Sequence, residues 1–242
     1  CFLPFFGTCT ISDITIRGIK ETGIRIDSTN WVPQRTTVRR CTVSECGDQG
    51  IIAGTIADCT AESCGKTALS ALVVTNSIGI SVETGSGIRA YTVTNSYGQS
   101  QSAFGIDADN DGTPHLGTAT NCRGVSATGT GLFATAATNC IGISTSGTGL
   151  DTNSEANGFT GTATGCVGRS TSGHGLIASI ATNCHGATTA STMYGLWVSG
   201  TATGCRGTNT AAAGIAVRTD IAVGCTAAAG TITANSKQLG TP

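Results

Sequence analysis

The sequence predicts an all-β chain, a parallel β-helix (solenoid) of about ten to eleven coils, and three observations carry that reading. One phrase recurs along the chain: VTNSIGIS (74–81), VTNSYGQS (93–100), ATNCRGVS (119–126), ATNCIGIS (137–144), ATGCVGRS (163–170), ATNCHGAT (181–188) and ATGCRGTN (202–209). A second landmark, Gly followed by Ile or Leu, trails each copy, from Gly87-Ile88 through Gly105-Ile106, Gly131-Leu132, Gly149-Leu150, Gly175-Leu176 and Gly195-Leu196 to Gly214-Ile215. It also stands earlier, at Gly23-Ile24 and Gly50-Ile51. The third observation is composition. Charged residues make up 11% and aromatics 5%, yet 39% of the chain is hydrophobic and 35 residues are glycine, which suits a thin packed core rather than disorder.

The elements follow from the repeat. Successive landmark residues from Ile88 are 18, 26, 18, 26, 20 and 19 residues apart, a short unit with occasional insertions. A unit this small cannot bury a core alone and must stack on its neighbours. Helical repeats are longer and show a 3.6-residue period, which is missing, and leucine-rich repeats need more leucines per unit. Short alternating strands broken by Gly, Asn and Ser turns fit a parallel β-helix. At ~4.8 Å per coil the rod would be on the order of 50 Å long. The expected organisation is an apolar N-terminal plug (1–9), the helix proper (10–235) and a short tail (236–242).

Stacking predicts columns. Cys122, Cys140, Cys166, Cys184, Cys205 and Cys225 would form one, with Ser77 and Ser96 filling the same slot earlier. The exchange of Ser for Cys points to a slot chosen for volume rather than thiol chemistry. Cys41/Cys59 and Cys46/Cys64 are each 18 residues apart, one coil. Parallel Cβ vectors ~4.8 Å apart exceed the usual disulfide Cβ separation, so an unpaired thiol ladder is expected. No C-x-x-C is present and the histidines are isolated, against zinc. Pairing of Cys1 with Cys9 stays open. A chain starting at Cys1 reads as a processed form or an expression boundary, and an N-terminal Cys also suits a lipoprotein-type lipid.

ISDITIRGIKETGIRI (11–26) resembles the opening coils of pectin-lyase-like right-handed parallel β-helices. The phrases TNCxGxSTSGTGL and TATGCxG are similar to repeats in secreted β-helix proteins of the Verrucomicrobia and Planctomycetes type, and AVGCTAAAGTITA (222–234) resembles their final coil. The resemblance implies a right-handed β-helix over roughly residues 10–235, located outside the cell, on its surface or in the periplasm. It is weak for function, because lyases, hydrolases, adhesins and tailspikes share the fold. Active lyases of the family use calcium and an Arg or Lys base against acidic polysaccharide.

Net charge is −1, which gives no electrostatic case for nucleic acid or acidic membranes, and no apolar run reaches the ~20 residues of a membrane span. Three insertions follow the same landmark: RIDSTNWVPQR (25–35), DADNDGTPHLG (107–117) and DTNSEANGF (151–159). They should leave one edge of the rod, the edge where binding is expected. DADNDG matches the start of an EF-hand-type calcium loop, so Asp107, Asp109 and Asp111 are candidate calcium ligands, although Thr118 stands where the bidentate Glu would be. The alternative is a solvated acidic turn.

Arg89, one coil before Asp107, is the candidate lyase base, with Asp107 as its acidic counterpart. Inverting hydrolysis would need carboxylates on adjacent strands, whereas these aspartates read as loop residues. Trp31, His115, Asp151, Glu155 and Phe159 complete the candidate ligand-binding set. His115, His174 and His185 do not share a column, and Trp197 reads as a surface or packing residue. Two hydroxyl sets, Ser126/Thr128 with its equivalents and Thr118/Thr120, Thr162/Thr164 and Thr201/Thr203, suggest an ice-binding face, against which stand gaps in the column and the insertions.

The leading expectation is therefore a non-catalytic secreted or surface scaffold that binds carbohydrate or a protein partner along the long-loop edge. Self-association end to end through unpaired strands is also expected. A calcium-assisted polysaccharide lyase and an ice-binding solenoid are the alternatives.

Overall fold

The computed structural model describes residues 8–26, 36–108, 117–152 and 161–238. Within them the chain is all-β. Thirty strands form two parallel sheets, one of nineteen strands and one of eleven, with no helix. Each repeat contributes three short strands, as in Thr92–Thr94, Tyr97–Ser100 and Ile106–Asp107. Strands inside each ladder pair with their equivalents in the repeats before and after, and the end strands pair on one side, so three ladders run along the chain. The first contains Thr92–Thr94, flanked by Val73–Thr75 and Thr118–Thr120. The second contains Tyr97–Ser100, between Ile78–Ser81 and Arg123–Ser126. The third contains Ile106–Asp107, between Ile88–Arg89 and Leu132–Phe133. From Leu176 onward the third and first ladders fuse into continuous strands, Leu176–Thr182, Tyr194–Thr203, Ile215–Val223 and Thr231–Gln238. This parallel topology is consistent with a β-helix. The final strand carries the pairing to Gln238, and most of the expected plug lies outside the described residues.

The repeat phrase now has a physical meaning at each letter. In the first ladder the central residue points inward: Val74, Val93, Ala119, Ala137, Ala163 and Ala181 are buried. In the third ladder the residue after the landmark glycine does so, giving the fully buried column Ile51, Ile88, Ile106, Leu132, Leu150, Leu176 and Leu196, with Leu69, after Ala68, in the same column. From Ile88 onward these large side chains fit because glycine faces them in the second ladder. A Cβ on Gly79 would lie 3.0 Å from the Ile88 side chain and 2.2 Å from the Gly87 carbonyl oxygen. Large against small fills a narrow cross-section without voids.

The corner between the first and second ladders is left-handed in repeat after repeat. Asn76, Asn95, Asn121, Asn139 and Asn183 have φ of 48° to 53°, and Gly165, Gly204 and Gly224 replace Asn at φ of 59° to 62°. Asparagine and glycine tolerate this conformation best. The asparagines also stack: Asn121 Nδ2 donates to Asn95 Oδ1 (3.2 Å), Asn95 Nδ2 to Asn76 Oδ1 (3.3 Å) and Asn76 Nδ2 to Asp58 Oδ1 (3.2 Å).

Next to this corner stands the thiol column. Cys41, Cys59, Ser77, Ser96, Cys122, Cys140, Cys166, Cys184, Cys205 and Cys225 are all buried. The cysteines among them are free, as are Cys9, Cys46 and Cys64. The backbone NH of Cys59 donates to Ser77 Oγ as that of Cys41 does to Cys59 Sγ, which is why serine substitutes in the slot. Burial pushes the Cys59 thiol up, and pushes Cys64 up to about 12.

Candidate functional site

The outer face of the first ladder is a regular surface of repeated side chains. Thr75, Thr94, Thr120, Thr138, Thr164, Thr182 and Thr203 occupy one column, seven consecutive strands in unbroken register. The parallel outward column reads Val73, Thr92, Thr118, Ala136, Thr162, Ile180, Thr201 in the same strands. Eleven of these fourteen positions are threonine, the others being Val73, Ala136 and Ile180, and none carries a charge. Neither the 109–116 nor the 153–160 segment disturbs the alignment: Thr94 still pairs with Thr120, and Thr138 with Thr164.

The grid is rectangular. Adjacent strands are ~4.8 Å apart and alternate residues along a strand about 6.6 Å apart. Among the described residues, none of the eleven threonine hydroxyls is engaged by another protein group. Each therefore offers one donor and two acceptor positions to solvent. The inward residues between them, Val74 to Ala202, are fully buried and anchor the face from behind.

The gaps expected in the hydroxyl sets remain in one column, at Val73, Ala136 and Ile180, while the other column is continuous. Thr75, Thr94, Thr138 and Thr182 join the Thr120/Thr164/Thr203 column and fill it. The signal was in the phrase itself, since each copy carries Thr directly before its Asn or Gly. The other proposed set does not form such a face, because Ser126, Ser144 and Ser170 point inward and are buried. Ser126 Oγ donates to the Ala103 carbonyl (2.6 Å) and accepts from the Gly129 NH (2.9 Å), and Ser144 and Ser170 repeat the pattern. They stitch turns together.

The candidate lyase pair lies on the outer face of the third ladder. Arg89 is in register with Asp107, and its Nε donates to Asp107 Oδ2 at 3.1 Å. The Asp107 side chain is 6% exposed and that of Arg89 42%. An arginine paired to a carboxylate is a charge partner, and a base role for Arg89 would require that pair to open. The expectation that the aspartates lie in loops is corrected for two of them. Asp107 and Asp151 are strand residues, in Ile106–Asp107 and Leu150–Asp151, because each follows the buried landmark residue and so points outward. Phe133 occupies the register position between them, leaving the two aspartates ~10 Å apart along the ladder. Asp109, Asp111, Trp31, His115, Glu155 and Phe159 lie outside the described residues, and with them the rest of the proposed calcium loop.

The two described histidines occupy different surroundings. His185 is on the second ladder, its Nε2 3.2 Å from Thr208 Oγ1, and desolvation together with the Arg206 and Arg169 charges holds its pKa below the ordinary value. His174 stacks on Tyr194 with ring centroids 5.2 Å apart, and Trp197 adjoins both rings. Tyr194 and Arg218, which complete this cluster, are residues that sequence reasoning passed over. The landmark spacing hid them: it aligns Ile215 with Leu196, whereas the strands pair Ile215 with Tyr194 and the buried Val217 with Leu196, which brings Arg218 beside Trp197.

Compared with known proteins, the chain matches no protein-family model, no curated protein and no solved structure. No helix among the described residues is long and apolar enough to cross a membrane.

Proposed function

We propose that the chain is a right-handed parallel β-helix of pectin-lyase-like type, acting outside the cell as a non-catalytic scaffold, and that its threonine face binds ice. The observation that carries this reading is the column of seven in-register threonines with free hydroxyls on a face without charge. A charge orients water radially about itself, whereas evenly spaced hydroxyls and methyls leave neighbouring waters free to bond to one another. Hydroxyls fixed on a sheet lose little freedom when water orders on them, so the ordering cost is met in advance. The repeat of about 4.8 by 6.6 Å is regular in both directions, so ordered water meets the same spacing at every strand.

The test is thermal hysteresis with microscopic inspection of crystal shape. Native protein should depress growth and facet the crystal. Thr138→Tyr, at the centre of the face, should abolish both while leaving thermal unfolding unchanged. Round crystals growing at the melting point in native protein would dispose of the proposal.

A second reading, a carbohydrate- or protein-binding edge, is favoured by the outward column Arg89, Asp107, Phe133, Asp151, which adjoins two of the long insertions. Affinity electrophoresis in glycan-containing gels, with Phe133→Ala as the variant, tests it. Unretarded migration in every glycan would count against a carbohydrate ligand.

A further inference from the structure

The aromatic cluster near the C-terminal end of the third ladder lies in repeats without a long insertion, and neither reading above uses it. Tyr194 and Trp197 project from one strand and stand edge to face, 5.8 Å between centroids and 68° between planes. The Arg218 guanidinium, from the next strand, lies 5.1 Å from the Tyr194 ring centroid and 5.9 Å from that of Trp197, and its Nη1 donates to the Tyr194 hydroxyl. His174 closes the cluster from the preceding repeat. Its Nδ1 accepts the Tyr194 backbone NH at 3.0 Å. A nitrogen that accepts this bond carries no proton, so the ring is neutral and packs as an aromatic wall.

Beside these groups is a cavity of about 340 Å³, bounded by Tyr194, Trp197, Arg218, Thr219, Asp220 and Asn235. Its polar chemistry is divided. Asp220 Oδ1 accepts from Asn235 Nδ2 (3.1 Å), so the carboxylate is engaged by the amide. No carboxylate pairs with Arg218 among the described residues, in contrast to Arg17, Arg40 and Arg89, each of which has one. The cavity therefore offers an aromatic wall, a guanidinium fork with donors unspent, and the acceptor oxygens of Asp220 and Asn235.

We infer that this cavity is a binding subsite for a sugar residue bearing an anionic substituent, a sulfate ester or a carboxylate. The ring's C–H face would lie on Trp197, the anion on the Arg218 fork and a sugar hydroxyl on Asp220 or Asn235. Arginine stacked on aromatic rings has its orientation set before the ligand arrives, which suits planar, two-point recognition of an oxyanion. Aromatic faces supply the apolar contact, and a neutral sugar would leave the guanidinium unanswered.

The chain has two tryptophans, so a Trp31→Phe background makes fluorescence report on Trp197 alone. The probes are a sulfated galactan oligosaccharide, a galacturonate oligomer and a neutral galactan oligosaccharide of equal length, titrated at fixed ionic strength. At least one anionic probe should quench Trp197 with a Kd tenfold or more below that of the neutral probe, and which one does so identifies the anion. Arg218→Gln should erase that preference, and Trp197→Phe, read by calorimetry, should weaken every probe that binds. Arg206→Gln, which removes an exposed positive charge on the second ladder, should change nothing. Equal affinity for all three probes, no binding to any, or an equal loss from Arg206→Gln would overturn the inference. Because these outcomes involve no threonine of the first ladder, they are separable from the ice result.

Discussion

Replacing Gly142 by Ala tests the reasoning about the narrow cross-section most directly. Gly142 lies in the second ladder, within Ile141–Ser144, with its Cα facing the start of the third. An added Cβ would sit 2.2 Å from the Gly149 carbonyl oxygen, 2.7 Å from the Gly149 carbonyl carbon and 2.9 Å from the Leu150 Cα. All three are backbone atoms, so no rotamer change relieves the clash. Restoring even a tight contact of 3.0 Å requires the two ladders to separate by about 0.8 Å at this level. Both are held in register from each side, Ile141–Ser144 by Arg123–Ser126 and Val167–Ser170, and Leu150–Asp151 by Leu132–Phe133 and Leu176–Ile177. The strain is therefore shared over three repeats or ends in local unpairing. Overpacking of a well-filled core costs about 1–3 kcal/mol, and a clash confined to backbone belongs at or above the upper end. Urea unfolding followed by circular dichroism should show a loss of about 3 kcal/mol or a new early transition, since a stack of coupled repeats can break at one weak interface. Ile143→Ala, at an outward position of the same strand, should cost less than 1 kcal/mol. A Gly142→Ala protein that unfolds like the native one would refute the claim that glycine is required by close backbone approach.

The remaining expectations concern the columns. Asn95→Gly should cost less than Asn95→Ala in the same urea assay: both lose the bonds to Asn76 and from Asn121, but Ala adds about 1–2 kcal/mol for φ of 50°. The reverse order would mean that the left-handed corner is not what selects Asn. The Cys64 thiol, pushed up to about 12 from 9.0 by burial, stays protonated in the native state while the unfolded chain ionises. Its stabilising contribution is complete below pH 9 and is lost as pH rises toward 12. At pH 10.5 that loss is about 2 kcal/mol, and Cys64→Ser should flatten the decline seen between pH 8 and 10.5. An unchanged slope in the variant would show that Cys64 is not the titrating group. Arg89→Ala should destabilise by roughly 1–3 kcal/mol, because it removes an ion-pair partner from the buried Asp107 carboxylate, whereas Arg206→Ala should stay within 0.5 kcal/mol. Equal effects would indicate that the Arg89–Asp107 pair is no stronger than an exposed contact.

The fold was readable because each repeat copies the same small compromise. Leu or Ile after Gly, Asn or Gly at the corner and Cys or Ser beyond it are each dictated by local sterics, and local sterics recur with the sequence. What faces outward is under no such constraint, which is why the site was harder to read. The Thr column was present in every phrase, yet its continuity depends on strand pairing across the insertions, and letter counting treats those as interruptions. Ser126, Ser144 and Ser170 passed for surface hydroxyls because a turn that accepts an inward serine is invisible without its bonding partners. Tyr194 and Arg218 fall outside the recurring phrase, and only the register of Trp197 on Arg218 brings them together.

The stacking of like on like also gives the molecule a heritable length scale. Because Cys122 and Cys140 occupy the same slot, deleting residues 123–140 would join ATNC directly to IGIS and leave the inward Ala, Cys, Gly, Ser and Leu or Ile positions above equivalents of the same kind. Duplicating the same segment would be equally silent. Slippage of the gene by one repeat can therefore lengthen or shorten the threonine face without any compensating substitution, so the extent of that face is open to selection in whole-repeat steps.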